Sequence, residues 1–91
     1  MFYLILIPKM DVNEIATKID ETLKDYSVPR RVKEALGRVS KELLNNDKDK
    51  IVKITSAVYE LEEISNDVNI PMHAKTILWD IISDLEALKE E

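Results

Sequence analysis

The residue best suited to acid–base chemistry in this chain is His73, its only histidine. The carboxylates that could orient its ring are Asp67 and Asp80. Residues seven apart on one helix are separated by about 10.5 Å along the axis, so Asp80 lies too far away to hold a catalytic imidazole. No cysteine is present and no serine is evidently placed as a nucleophile. We therefore expect His73 to bond an inter-helix turn, and we predict that the protein is not an enzyme.

Cofactor and metal chemistry find little support in the sequence. A glycine-rich phosphate loop cannot form when Gly37 is the only glycine, and thiolate metal sites need cysteines that the chain lacks. The acidic pairs Glu62-Glu63 and Glu90-Glu91 are typical of solvated helix faces. The prediction is that the protein has no metal and no cofactor.

A cluster of cations could bind RNA or another anion. It gives residues 30–43 a local balance of +3, from five cations against Glu34 and Glu42, although the whole chain carries a net charge of −5. Nucleic-acid binding requires phosphate neutralisation and often aromatic stacking, and no aromatic residue stands among these cations in sequence. We expect the cluster mainly to pair with acidic helices one and four, so that nucleic-acid binding is the alternative function. The cluster consists of Arg30, Arg31, Lys33, Arg38 and Lys41.

Four amphipathic helices must position these residues. The single glycine and three prolines argue against an all-β fold, and apolar residues recur three and four positions apart in four segments. Ser27 and Asn69 are predicted N-caps, each followed by a proline near the start of a helix, and helix two is predicted to end near Asn45. The predicted core stripe comprises Val12, Ile15, Ala16, Ile19, Leu23, Tyr26, Val32, Ala35, Leu36, Val39, Leu43, Ile51, Ile54, Val58, Leu61, Ile64, Ala74, Ile77, Leu78, Ile81, Leu85 and Leu88.

The helices form two similar hairpins. Ser27-Val28-Pro29 recurs as Asn69-Ile70-Pro71 at an offset of 42 residues, and the surrounding apolar positions keep the same register. Short connections make neighbouring helices antiparallel. The prediction is an all-α, four-helix up-and-down bundle with hairpins at 11–45 and 49–89; two stacked hairpins with more open packing are the alternative.

Four apolar residues do not belong to the core stripe. Val52 and Tyr59 form an i, i+7 pair on helix three, and Met72 and Trp79 form another on helix four, each about 150° from the core-facing side. Aligned aromatic and methionine residues are typical of an interface core. They predict a non-catalytic interaction module that self-associates, as a homo-oligomer, or binds another protein through helices three and four.

The first nine residues differ from the rest. Met1 to Ile7 is an apolar run, too short to span a membrane and without the basic start of a signal peptide. It could pack on the apolar faces of helices three and four, or Met10 could be the native start. We expect an extension at 1–9, one domain at 10–91, no membrane association and a cytoplasmic location, which the absence of cysteine fits.

The stretch Ser65-Asn66-Asp67-Val68-Asn69-Ile70-Pro71-Met72-His73-Ala74-Lys75 resembles the signature of a small archaeal family described only as uncharacterised. The resemblance covers Met10 to about Glu86 and implies an all-helical protein of an archaeal cytoplasm, with no activity or ligand to transfer. A weaker likeness is to HEAT-type repeats, carried by Asp25, Val32 and Ala35-Leu36-Gly37, with Lys33 in place of the usual arginine.

Overall fold

Three connections of equal length and form link the helices. The computed structural model describes residues 11–90, and within this range the chain forms four α-helices and no β-strand. Six residues separate each helix from the next. The helices are α1 (Val12–Leu23), α2 (Arg30–Leu43), α3 (Lys50–Ser65) and α4 (Met72–Lys89).

Each turn contains an Asp or Asn whose side chain closes it. Oδ1 of Asp25 accepts a hydrogen bond from the backbone N–H of Ser27 at 2.9 Å, and Oδ1 of Asp67 accepts one from Asn69 at 2.8 Å. The turn between α2 and α3 repeats this geometry, because Oδ1 of Asn45 accepts from the backbone two residues later at 2.8 Å. These short side chains bond their own backbone readily, so the same turn is built three times.

The predicted N-caps of α2 and α4 were wrong by two residues. Pro29 and Pro71 are the N-cap residues, with φ/ψ of −60°/150° and −62°/151°. Ser27 and Asn69 instead lie inside the turns, where their backbone N–H groups bond the preceding aspartates. The nearly identical torsions of the two prolines support the equivalence of the hairpins.

The helices pack in cyclic order around one core. Contacts join α1 to α2, α2 to α3, α3 to α4 and α4 to α1, which makes an up-and-down bundle and places α2 and α4 on a diagonal. Lys18 of α1 bridges Asp80 and Asp84 of α4 at 2.5 and 2.7 Å. Burial lowers the pKa of Lys18, but hydrogen bonds and charges from the two carboxylates outweigh it, so the pKa is raised.

The predicted core stripe is largely buried, with two exceptions. Tyr26 lies in the turn after α1 and is fully exposed, because α1 ends at Leu23, and Ile51 is 44% exposed. α2 ends at Leu43, two residues before the predicted limit. The core also contains four residues outside the predicted stripe: Val28, Ala57, Ile70 and Ile82.

The predicted extension at 1–9, its packing and the choice between Met1 and Met10 as the start lie outside the described residues. The limits of the domain at 10–91 stay a prediction. None of the four helices is both long enough and apolar enough to cross a membrane.

Candidate functional site

His73 lies close to Ser27, a residue 46 positions earlier in the sequence. Its Nε2 is 2.8 Å from Oγ of Ser27, which belongs to the turn of the other hairpin. The same hydroxyl donates to Oδ1 of Asp25 at 2.7 Å. The sequence did not reveal that Ser27 approaches His73, whereas the expected bond of His73 to an inter-helix turn is present.

The order of these hydrogen bonds does not fit nucleophilic catalysis. In a catalytic triad the carboxylate orients the imidazole, and the imidazole accepts the proton of the serine. The charged carboxylate of Asp25 can only accept, so the single hydroxyl hydrogen of Ser27 is donated to it and the hydroxyl is left to accept from Nε2–H of His73. All three residues are exposed. The cluster is better described as a link between the start of α4 and the turn after α1 than as an active site.

A second link joins the start of α2 to the turn after α3. Nη1 of Arg31 lies 2.5 Å from Oδ2 of Asp67, in the turn between α3 and α4. The Ser27 hydroxyl and backbone N–H lower the pKa of Asp25. The backbone N–H of Asn69, followed by the Arg31 guanidinium, lowers the pKa of Asp67. Both carboxylates are thus held in the charged form by donors.

The cations of α2 pair differently from the expectation. Arg38 contacts Oε2 of Glu60 on α3 through two nitrogens, at 2.6 and 2.7 Å, and Arg31 reaches the turn that follows α3. The expected partners were α1 and α4, but these two arginines pair with α3 and the turn after it, and α4 lies diagonally across the core from α2. Arg30 makes a 3.6 Å pair with Glu34 within α2.

One aromatic residue lies beside the basic residues in the structure, although none stands among them in the sequence. Nζ of Lys33 lies 6.0 Å from the centroid of the Tyr26 ring, at the limit of a cation–π contact. Tyr26 is fully exposed and Arg30 has a side chain that is 90% exposed. Lys41, at the other end of α2, is also exposed and lies too far along the helix to join them.

The outer groove between α3 and α4 contains two of the exposed aromatic residues. We use this name for the two adjoining depressions that share Glu62 and Glu86. Tyr59 lines one depression together with Ile51, Thr55, Val58, Lys89 and Glu90, and Trp79 lines the other together with Ser65, Asn66, Ile82 and Ser83. The two aromatic side chains are 66% and 48% exposed.

The other two predicted interface residues are exposed but do not line the groove. Val52 is 56% exposed on α3 and Met72 is 64% exposed at the first position of α4. Within the described residues, α1 and α2 carry no large exposed apolar side chain; Tyr26 and Leu44 follow their C-termini. The excess of exposed apolar surface is thus confined, among the helices, to the second hairpin.

Sequence reasoning missed the structural role of Lys53. This lysine is only 8% exposed, and its Nζ donates to the backbone carbonyls of Leu43 and Asn45 at 2.9 Å each. It therefore caps the C-terminal end of α2, where a cation is favoured. The signal available in the sequence was the position of Lys53 one residue before Ile54, on the side of α3 that faces the core.

Within residues 11–90, no three His, Asp or Glu side chains lie close enough together to hold a metal ion. Glu62 was predicted to lie on a solvated helix face, and both groove carboxylates, Glu62 and Glu86, are exposed. Their position between two aromatic residues could be found only from the packing of α3 on α4.

Comparisons with known proteins identify a family. The model of the Uncharacterised protein family (UPF0147) matches residues 8–88. A UPF0147 protein of Methanothermobacter thermautotrophicus is 43% identical over 83 residues, covering 86% of this chain and 80% of that protein. One from Methanocaldococcus jannaschii is 35% identical over 82 residues, covering 90% and 88%. The crystal structure of a UPF0147 protein from Thermoplasma acidophilum has a TM-score of 0.78 at 33% identity, covering 84% of this chain and 89% of that chain.

Proposed function

This chain belongs to the UPF0147 family, found in archaea, and we propose that it is a non-catalytic protein-interaction module whose contact surface is the outer groove between α3 and α4. The module binds a second copy of itself or a different protein there. We place it in the cytoplasm, because a chain without cysteine requires no oxidising compartment.

The observation that carries this proposal is the exposure of Tyr59 and Trp79 in one groove. Each aromatic ring faces solvent over about half of its surface or more, although α3 and α4 already bury a separate apolar face in the bundle. Burying a large apolar side chain contributes about 1.5–3 kcal/mol. Covering both rings therefore favours association, and aromatic residues are enriched at the centres of protein interfaces.

Replacing the two aromatic residues tests the proposal. Tyr59→Ser and Trp79→Ala should each weaken self-association or partner capture about tenfold or more, because anchor residues of this type commonly contribute 2 kcal/mol. Tyr26→Ser is the control, since it removes a tyrosine that is even more exposed than Tyr59 but lies in a turn at the end of the bundle, outside the groove. Self-association is measured by sedimentation velocity over a range of concentrations, and capture is measured with tagged protein in an extract of the native cell.

The two groove variants must remain folded for the result to count. Both side chains are largely exposed, so far-UV circular dichroism should show an unchanged four-helix bundle. Unaltered association and unaltered captured proteins in Tyr59→Ser and Trp79→Ala would contradict an interaction surface at this groove.

A second candidate function is RNA association through the start of α2. It is favoured by Tyr26, a fully exposed ring beside Lys33, with Arg30 extending from the same end of the helix. Base stacking on an aromatic ring next to cations is a common way to bind single strands. The binding of a single-stranded RNA should fall steeply with salt and be lost in Tyr26→Ser, whereas binding at the α3–α4 groove should survive this substitution.

A further inference from the structure

The groove between α3 and α4 has an ordered arrangement of apolar and acidic residues. Tyr59 and Trp79 lie in different depressions, and the two residues common to both depressions are Glu62 and Glu86. Glu62 and Glu86 therefore lie where the two depressions meet, and each depression contains one aromatic side chain. A ligand that fits the groove presents apolar groups to the two rings and basic groups to the carboxylates.

The carboxylates of the groove are available to such a ligand. Among residues 11–90, the salt bridges engage neither Glu62 nor Glu86, and both side chains are exposed. Glu90 adds a third carboxylate at one end of the groove, and Lys89 is the single cation among the lining residues. The groove is thus acidic as well as apolar.

This charge distribution opposes a twofold pairing of the groove with a second copy. In a twofold dimer the same patch of each copy forms the interface, so the carboxylates of both copies would be enclosed in one interface. Like charges brought together in an interface are unfavourable. A second copy could offer its basic α2 instead, but α2 carries no exposed apolar side chain to cover Tyr59 and Trp79.

We infer that the groove binds a basic amphipathic helix of a different protein, with lysine or arginine between two apolar anchors on one helix face. This inference rests on the proposed function and specifies its partner. α3 has 16 residues and is about 24 Å long, so a ligand helix of about four turns spans the groove. Recognition of an amphipathic helix in an apolar groove is a common mode of protein binding.

Fluorescence of Trp79 tests the inference directly, because it is the only tryptophan in the chain. The probe is a synthetic helical peptide of about 16 residues without tryptophan, with leucines towards both ends of one face and lysines between them. A matched peptide carries glutamates in place of the lysines. Titration of the full-length protein with the lysine peptide should shift the Trp79 emission to the blue, and the glutamate peptide should not.

Charge variants identify the contact. Glu62→Gln combined with Glu86→Gln should weaken binding of the lysine peptide about tenfold, since two ion pairs are lost. Glu63→Gln is the matched control: it removes a neighbouring exposed carboxylate of α3 that does not line the groove, and it should change the affinity less than about twofold.

Four outcomes would overturn the inference, and the last would overturn the proposed function with it. Equal binding of both peptides would remove the preference for cations but leave the interaction surface standing. A Trp79 emission that depends on protein concentration, without peptide binding, would identify a second copy as the occupant. Peptide binding that appears only after deletion of residues 1–9 would identify the chain's own N-terminal segment as the occupant of the groove. Failure of all these signals, with no effect of Tyr59→Ser on association, would contradict the proposed function as well.

Discussion

Arg31 and His73 occupy equivalent positions in the two hairpins, and each side chain crosses to the turn of the opposite hairpin. Arg31 reaches Asp67 in the turn after α3, and His73 reaches Ser27 in the turn after α1. Both residues are the second of their helix, α2 and α4 respectively. The duplication therefore extends from the helices to a pair of reciprocal links at one end of the bundle.

The first prediction concerns acid stability. The donors at Asp25 and Asp67 lower the pKa of both carboxyls, so the unfolded chain binds protons at a higher pH than the folded chain does. Their contribution to stability is fully present above the ordinary pKa, about 3.9, and is lost as the pH falls through the lowered values. Urea denaturation between about pH 2 and pH 7 should show this loss.

Asp67→Asn separates this effect from general acid unfolding. The variant keeps an acceptor for the turn but removes the titrating group, so its stability should decline less steeply below about pH 4. Glu63→Gln is the control. It removes an exposed carboxylate of α3 and should leave the slope of stability against pH unchanged. If Asp67→Asn and the wild type lose stability equally as the pH falls below about 4, the loss cannot be assigned to the titration of Asp67.

The second prediction concerns the link between His73 and Ser27. His73→Ala should lower the free energy of unfolding by about 0.5–1.5 kcal/mol, the usual contribution of one hydrogen bond. A double-mutant cycle with Ser27→Ala measures the coupling between the two side chains, which should be positive because they are 2.8 Å apart. Additive effects would rule out the bond, and any turnover abolished by His73→Ala would contradict a non-catalytic protein.

The third prediction concerns the buried lysine. Lys53→Met keeps most of the apolar stem but leaves the carbonyls of Leu43 and Asn45 without their donor. We expect a loss of about 1–3 kcal/mol in the free energy of unfolding. Lys50→Met, at the exposed start of α3, is the control and should change it by less than about 0.5 kcal/mol. Equal effects of the two substitutions would show that the cap contributes nothing.

The fourth prediction uses the only glycine. Gly37 lies inside α2, has no positive φ, and a Cβ placed on it would meet nothing within 4 Å. Gly37→Ala should therefore stabilise the bundle by about 0.5–1 kcal/mol, because the unfolded chain loses conformational freedom. The thermal midpoint measured by circular dichroism should rise, and a fall would indicate a constraint on α2 that the packing does not show.

Much of the fold could be predicted because its signals are local. Apolar residues at helical spacing, such as Ile15 and Ile19, mark the buried face of a helix wherever that helix packs. The recurrence of Pro29 as Pro71 likewise marks two helix starts without reference to tertiary structure. The same periodicity left Tyr59 and Trp79 off the core face, and both are exposed in the bundle.

The links between distant residues were decided by the tertiary structure alone. Periodicity fixes which side of a helix is buried, but it does not say which helices become neighbours around the core. Because α2 neighbours α3 and not α4, Arg38 pairs with Glu60, and the acidic residues of α4 meet Lys18 instead. Sequence established four helices and their buried faces, since these depend on contacts within one or two turns. Packing decided the pairing of Ser27 with His73 and the acidic groove beside Trp79, since these depend on how whole helices are arranged.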